Sequence, residues 1–206
     1  GACRARNTDA LTKNRYIVDA EEWRIQNITE DSPDHELLAT ALSAYHLEDQ
    51  ATLQSAEQEL KRRVEAGEDG YTAIMAKQAS GLLHAGMGHP DVAIRFFEEA
   101  IDIIEPMAPP RGSANPIKPV YEMYGEVLLD LGRQEDAVEQ FEMSLQRMPN
   151  RPRSLWGMAN AQAAIGQVDL ATEHYQMLVD IWTGSENFGG ITEARSYLMD
   201  NTGGSD

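Results

Sequence analysis

The chain has 206 residues, of which 42% are hydrophobic and 25% charged, a balance that supports a folded core and excludes wholesale disorder. Its 34 acidic and 17 basic residues leave a net charge of −17, which argues against nucleic-acid binding, because that depends on Lys and Arg neutralising phosphates. No run approaches the roughly 18 uninterrupted apolar residues that a membrane span needs.

In chain order, the first segment, 1–34, contains one expected helix from about Leu11 to Ile28, with Tyr16, Ile17, Ala20, Trp23 and Ile28 as its apolar positions. Ser32-Pro33-Asp34 reads as a break followed by a helix start. A helical pair follows over 35–67, with Leu38, Ala41, Leu42 and Tyr45 on one face and Leu53, Ala56, Leu60 and Val64 on the next. Gly67-Glu68-Asp69-Gly70 is a turn.

From there a single spacing recurs three times: a small residue, a glycine seven on, an alanine five further and an aromatic four beyond that. The copies are Gly81, Gly88, Ala93, Phe97; Gly125, Gly132, Ala137, Phe141; and Ala159, Gly166, Ala171, Tyr175. The last two are offset by 34 residues, and the first two by that period plus ten. The extra ten are the proline-rich insertion Ala108–Ile117, APPRGSANPI, which cannot continue a helix. The repeats therefore fall at 74–107, 118–151 and 152–185, the second closed by Pro149-Asn150-Arg151-Pro152. GSENFGG reads as a loop, 191–199 as a short capping helix, and 201–206 as a polar tail.

A 34-residue period with these marks is that of the tetratricopeptide (TPR) helix pair. The small residue of the first helix admits the second helix closely, the glycine enters a positive-φ turn, the alanine is a contact point on the second helix, and the aromatic one turn later fills the space between neighbouring units. The expected fold is all-α: a TPR-like α-solenoid of antiparallel helix pairs over 35–200, with about three TPR units, N-terminal helices and the capping helix. The pair at 35–67 lacks the glycine marks and reads as a degenerate repeat or cap. Over 115–182 the chain resembles a group of bacterial TPR proteins, on its Lys-Pro, Glu-x-x-Gly-Glu, Leu-Gly-Arg and Pro-Asn-Arg pieces. That resemblance implies the fold and brings no activity with it.

In a TPR unit the first helix lines a concave groove. The groove positions here are Met75, Gln78, Leu82 and Ala85; Pro119, Glu122, Glu126, Leu129 and Asp130; and Arg153, Trp156, Asn160 and Ala163. The polar set and the tryptophan, Gln78, Glu122, Glu126, Asp130, Arg153, Trp156 and Asn160, form the candidate partner surface. Trp156 is a ready anchor for a partner side chain. Glu122 and Glu126 share a helical face, with Lys118 one turn upstream able to pair with Glu122. They repel an acidic chaperone-type tail and favour a basic peptide or protein; the bland reading of the charge is solubility. The proline-rich insertion is the other candidate surface.

His84, Met87 and His89 suit a soft metal, but His84 falls at a packing position and His89-Pro90 opens a helix, so no metal, cofactor or catalytic set is assigned. The expected function is a non-enzymatic protein-binding scaffold, with a fixed structural subunit of an envelope-associated assembly as the alternative. Gly1-Ala2-Cys3 resembles the end of a bacterial lipoprotein signal, which makes Cys3 a candidate lipidation site and favours the periplasm or envelope over the cytoplasm. The retained Gly1 and Ala2 argue against cleavage there, and membrane anchoring then depends on sequence upstream of Gly1. As the only cysteine, Cys3 excludes an internal disulfide.

Overall fold

A computed structural model describes residues 2–183 and 189–202, with side chains described over 9–183 and 189–201. The expectations for Cys3, for most of the GSENFGG loop and for the end of the tail lie outside the described residues. The described residues form ten helices and no strand: α1 Ala2–Asp19, α2 Asp34–His46, α3 Gln50–Glu65, α4 Tyr71–Gly86, α5 Pro90–Ile104, α6 Val120–Asp130, α7 Gln134–Arg147, α8 Pro152–Ala164, α9 Val168–Ile181 and α10 Gly189–Thr202. None of them is long and apolar enough to cross a membrane. They fall into two compact units, 1–120 and 121–206, divided just after the proline-rich insertion.

The spacing marks have the packing roles expected of them. Gly88, Gly132 and Gly166 sit at φ +73°, +73° and +78°. Each closes its helix with the same pair of backbone bonds, seen at the first as Gly88 N–H to Ala85 and His89 N–H to His84. Gly81 and Phe97 lie equally far from their turn, so their meeting requires α4 and α5 to run antiparallel. A Cβ on Gly81 would lie 2.6 Å from the Phe97 ring, and one on Gly125 would lie 2.9 Å from Phe141. In the third pair Ala159 and Tyr175 share one buried cluster with Leu155, Leu178, Ile191 and Ala194.

The pair α2 and α3 makes the same turn without glycine. Glu48 takes φ +56°, with Glu48 N–H bonded to Tyr45 and Asp49 N–H to Ala44. Glu57 stands where the later pairs place their aromatic residue; it is buried and accepts a hydrogen bond from Ser80 Oγ at 2.7 Å. Left-handed backbone at a residue with a Cβ costs roughly 1–2 kcal/mol. Glu48→Gly is therefore expected to stabilise the N-terminal unit by about 1 kcal/mol in urea unfolding.

Proline and acidic residues explain the helix starts. Pro33 precedes α2, whose first turn carries Asp34 and Glu36, and Pro90 and Pro152 occupy the first positions of α5 and α8. Asp49 caps α3 by accepting the Thr52 amide at 3.1 Å.

The N-terminal helix differs from expectation. It ends at Asp19, and the chain turns at Glu21, φ +56°, so that the segment carrying Trp23 and Ile28 is not helical. This segment is tied back along α1 by polar pairs, Gln26 to the buried Asn14 at 2.8 Å and Tyr16 to Glu22 at 2.7 Å. Trp23 stacks on His46 with centroids 4.2 Å apart. Tyr16 and Ile25 remain exposed, so the apolar period through residue 28 belongs to two separate segments. At the other end α10 is longer than the expected 191–199 and packs on α8 and α9.

Candidate functional site

In the N-terminal unit, the α4 face that repeat geometry assigns to the groove is covered. Gln78 is fully buried and its Nε2 donates to the Lys118 carbonyl at 2.9 Å, while Met75 and Leu82 are also buried. The end of the insertion lies in this unit's interior: Ala114, Ile117 and Lys118 are buried, and Arg15 Nη2 of α1 donates to the Ala114 carbonyl at 3.0 Å. Gln78 is thus a structural residue. Earlier in the insertion, Ala108, Pro109 and Arg111–Ser113 are exposed, as is Asn115 beyond them.

In the C-terminal unit the two glutamates are not an open acidic wall. Glu122 of α6 is 0% exposed. Arg151, at the cap of α8, clasps it through Nε at 2.6 Å and Nη2 at 2.9 Å. Ser154 Oγ adds a bond at 2.6 Å and lies 2.8 Å from Ser144 Oγ of α7. This bidentate geometry neutralises the carboxylate and joins three helices. It assigns Arg151 of the Pro-Asn-Arg piece the role of counter-ion, which the groove rule leaves out because it scores only positions inside helices.

One turn further along α6, Glu126 accepts from Arg153 Nη2 at 3.1 Å. The Arg153 guanidinium lies over the half-buried Trp156 ring, 4.9 Å from its centroid. Trp156 Nε1 in turn donates to Glu193 of α10 at 2.8 Å. Asn160, with its amide turned to suit both neighbours, donates to Glu193 at 3.1 Å and accepts from Trp156 at 3.2 Å. Behind them the Tyr175 hydroxyl reaches Glu193 at 3.5 Å, and burial, reinforced by that carboxylate, pushes its pKa well above the usual phenol value. Glu126, Arg153, Trp156 and Asn160 therefore belong to one chain of contacts completed by Glu193, while Asp130 is exposed at the end of α6. Glu193 escapes the repeat rule because it comes from the helix after the last repeat.

Of His84, Met87 and His89, the two imidazoles lie 5.8 Å apart, centroid to centroid. His84 stacks on Phe96, with centroids 5.4 Å apart, and burial, with His89 nearby, lowers its pKa. Met87 is exposed. Among the described residues no group of three or more His, Cys, Asp or Glu side chains is placed to hold a metal ion. No protein-family model matches the chain, and no curated protein matches it at a significant level.

Proposed function

We propose that this protein is a non-catalytic, TPR-like α-solenoid scaffold that holds a peptide segment or protein subunit on the α8 face of its C-terminal unit. The observation that carries the reading is Trp156, half-buried and oriented on both sides, by Arg153 over its ring and by Glu193 at its indole nitrogen. An aromatic side chain held in place before contact loses little conformational freedom on binding, which favours its use as an anchor. The net charge of −17 supports a basic partner, whereas Glu122 and Glu126 are already answered by arginines.

Trp156→Ala is expected to abolish capture of a partner recovered by affinity purification and then purified, with helicity by circular dichroism unchanged. Undiminished affinity of that purified partner for the variant would refute the assignment of the surface. A second reading, a fixed subunit of a larger envelope-associated assembly, is favoured by Val168, Leu170 and Met177 of α9, which remain exposed. A fixed subunit co-migrates with its neighbours at constant ratio through purification at moderate salt; a scaffold with an exchanging partner does not.

A further inference from the structure

We propose that a pocket in the N-terminal unit binds an aliphatic monocarboxylate, either a free acid or the C-terminal carboxylate of a peptide that ends in an apolar residue. The pocket has a volume of about 510 Å³ and is walled by residues of α1, α2, α3 and α4, the segment before α2 and the end of the insertion. That size falls within the roughly 300–1,000 Å³ of small-ligand sites.

Two of its charged residues are already committed. Arg63 is paired with Asp34 and with Glu59, and Asp34 also accepts a hydrogen bond from Thr72. Arg15 is in a different state. One Nη donates to the Ala114 carbonyl, its Nε is buried without a hydrogen-bond partner, and no described carboxylate pairs with it. His35, on the same pocket, likewise has a buried Nε2 without a partner. A desolvated polar atom left in this condition costs roughly 1–3 kcal/mol. Two such groups, one on α1 and one on α2, line this one cavity.

A carboxylate matches them chemically. Its two oxygens can accept from a planar guanidinium in parallel, and rotation of the Arg15 and His35 side chains toward the pocket they both line would offer the guanidinium and the imidazole Nε2–H to one anion. Burial, with the Arg15 cation adding to it, lowers the His35 pKa against the opposing pull of Glu36 and Asp34. The ring is then neutral and can donate without bringing a second buried charge. Leu11, Met75 and Ile117 supply apolar wall for the alkyl part of the ligand.

Glu30 and Asp31 select against other anions. Both are exposed, line the same pocket and make no side-chain ion pair with a described residue. Their negative charges repel any anion, a phosphate monoester or a dicarboxylate about twice as strongly as a single carboxylate, and favour a neutral or cationic body behind it. The site belongs to a different unit from Trp156 and stands independently of the scaffold reading.

The test is calorimetric titration of the full chain with N-acetyl-leucine and with an acetylated tetrapeptide ending in leucine, each compared with its carboxamide. Ring resonances of His35 are followed by NMR in the same titrations. The carboxylates are expected to bind and to move the His35 signals, the amides to bind at least about tenfold more weakly, and Arg15→Met to cause a similar loss with helicity unchanged. Tighter binding of the tetrapeptide identifies a peptide terminus as the ligand, and equal binding a free acid. The proposal is overturned if wild-type protein binds both carboxylates more weakly than about 10 mM, or binds acid and amide alike. The acid-to-amide comparison on wild-type protein decides the matter even if the variant fails to fold.

Discussion

Arg151→Met is expected to lower the unfolding free energy of the C-terminal unit by about 3 kcal/mol, because breaking a buried ion pair leaves a desolvated charge behind. Glu122 is 0% exposed and receives two bonds from Arg151, so the carboxylate left by this change cannot reach water without opening the contact between α6 and α8. Replacing both residues by methionine is expected to recover most of the loss, since an apolar pair of similar volume avoids the desolvation cost altogether. The measurement is a double-mutant cycle in urea, read by far-ultraviolet circular dichroism. A single change costing under about 0.5 kcal/mol, the range of an exposed pair, would show that Glu122 stays solvated.

Gly157→Ala is expected to destabilise the same unit by about 2 kcal/mol despite the better helix propensity of alanine. A Cβ there would lie 2.2 Å from Cζ of Phe141, a ring that is 0% exposed. The same ring lies against Gly125, where an added Cβ would stand at 2.9 Å, so packing at one glycine limits its retreat from the other. Phe141→Leu in the Gly157→Ala background is expected to cost less than the sum of the two single changes, because the smaller side chain leaves room for the methyl group. Gly189→Ala serves as the control, since nothing lies within 4 Å of the added carbon. If Gly157→Ala behaves like that control, the ring has freedom to move and the close contact does not govern stability.

Part of this packing was legible in the sequence. Gly81, Gly88, Gly125, Gly132 and Gly166 were legible because each answers a local demand, a positive φ or a close approach between helices adjacent in the chain. Gly157 answers a demand from Phe141, which belongs to the preceding repeat, so the spacing within its own repeat gives it no mark. The turn at Glu48 was hidden for the opposite reason: its backbone bonds tolerate a residue that sequence pattern does not associate with them.

For the candidate surface, the period placed Glu122, Glu126, Arg153, Trp156 and Asn160 on the first helices of their pairs, and α6 and α8 carry them. It could not distinguish a wall that faces a partner from one already satisfied by the protein. Arg151 lies between helices and Glu193 beyond the last repeat, and both reach the surface from outside the repeating pattern.

Helix content, the three glycine turns and the close approach within the repeated pairs follow from residue spacing alone, because hydrogen bonds and steric limits over a few residues set them. Which carboxylates are buried and which cations answer them was decided only by tertiary packing. A charge is worth little or much according to the solvent around it, and that solvent is excluded by segments far away in the chain.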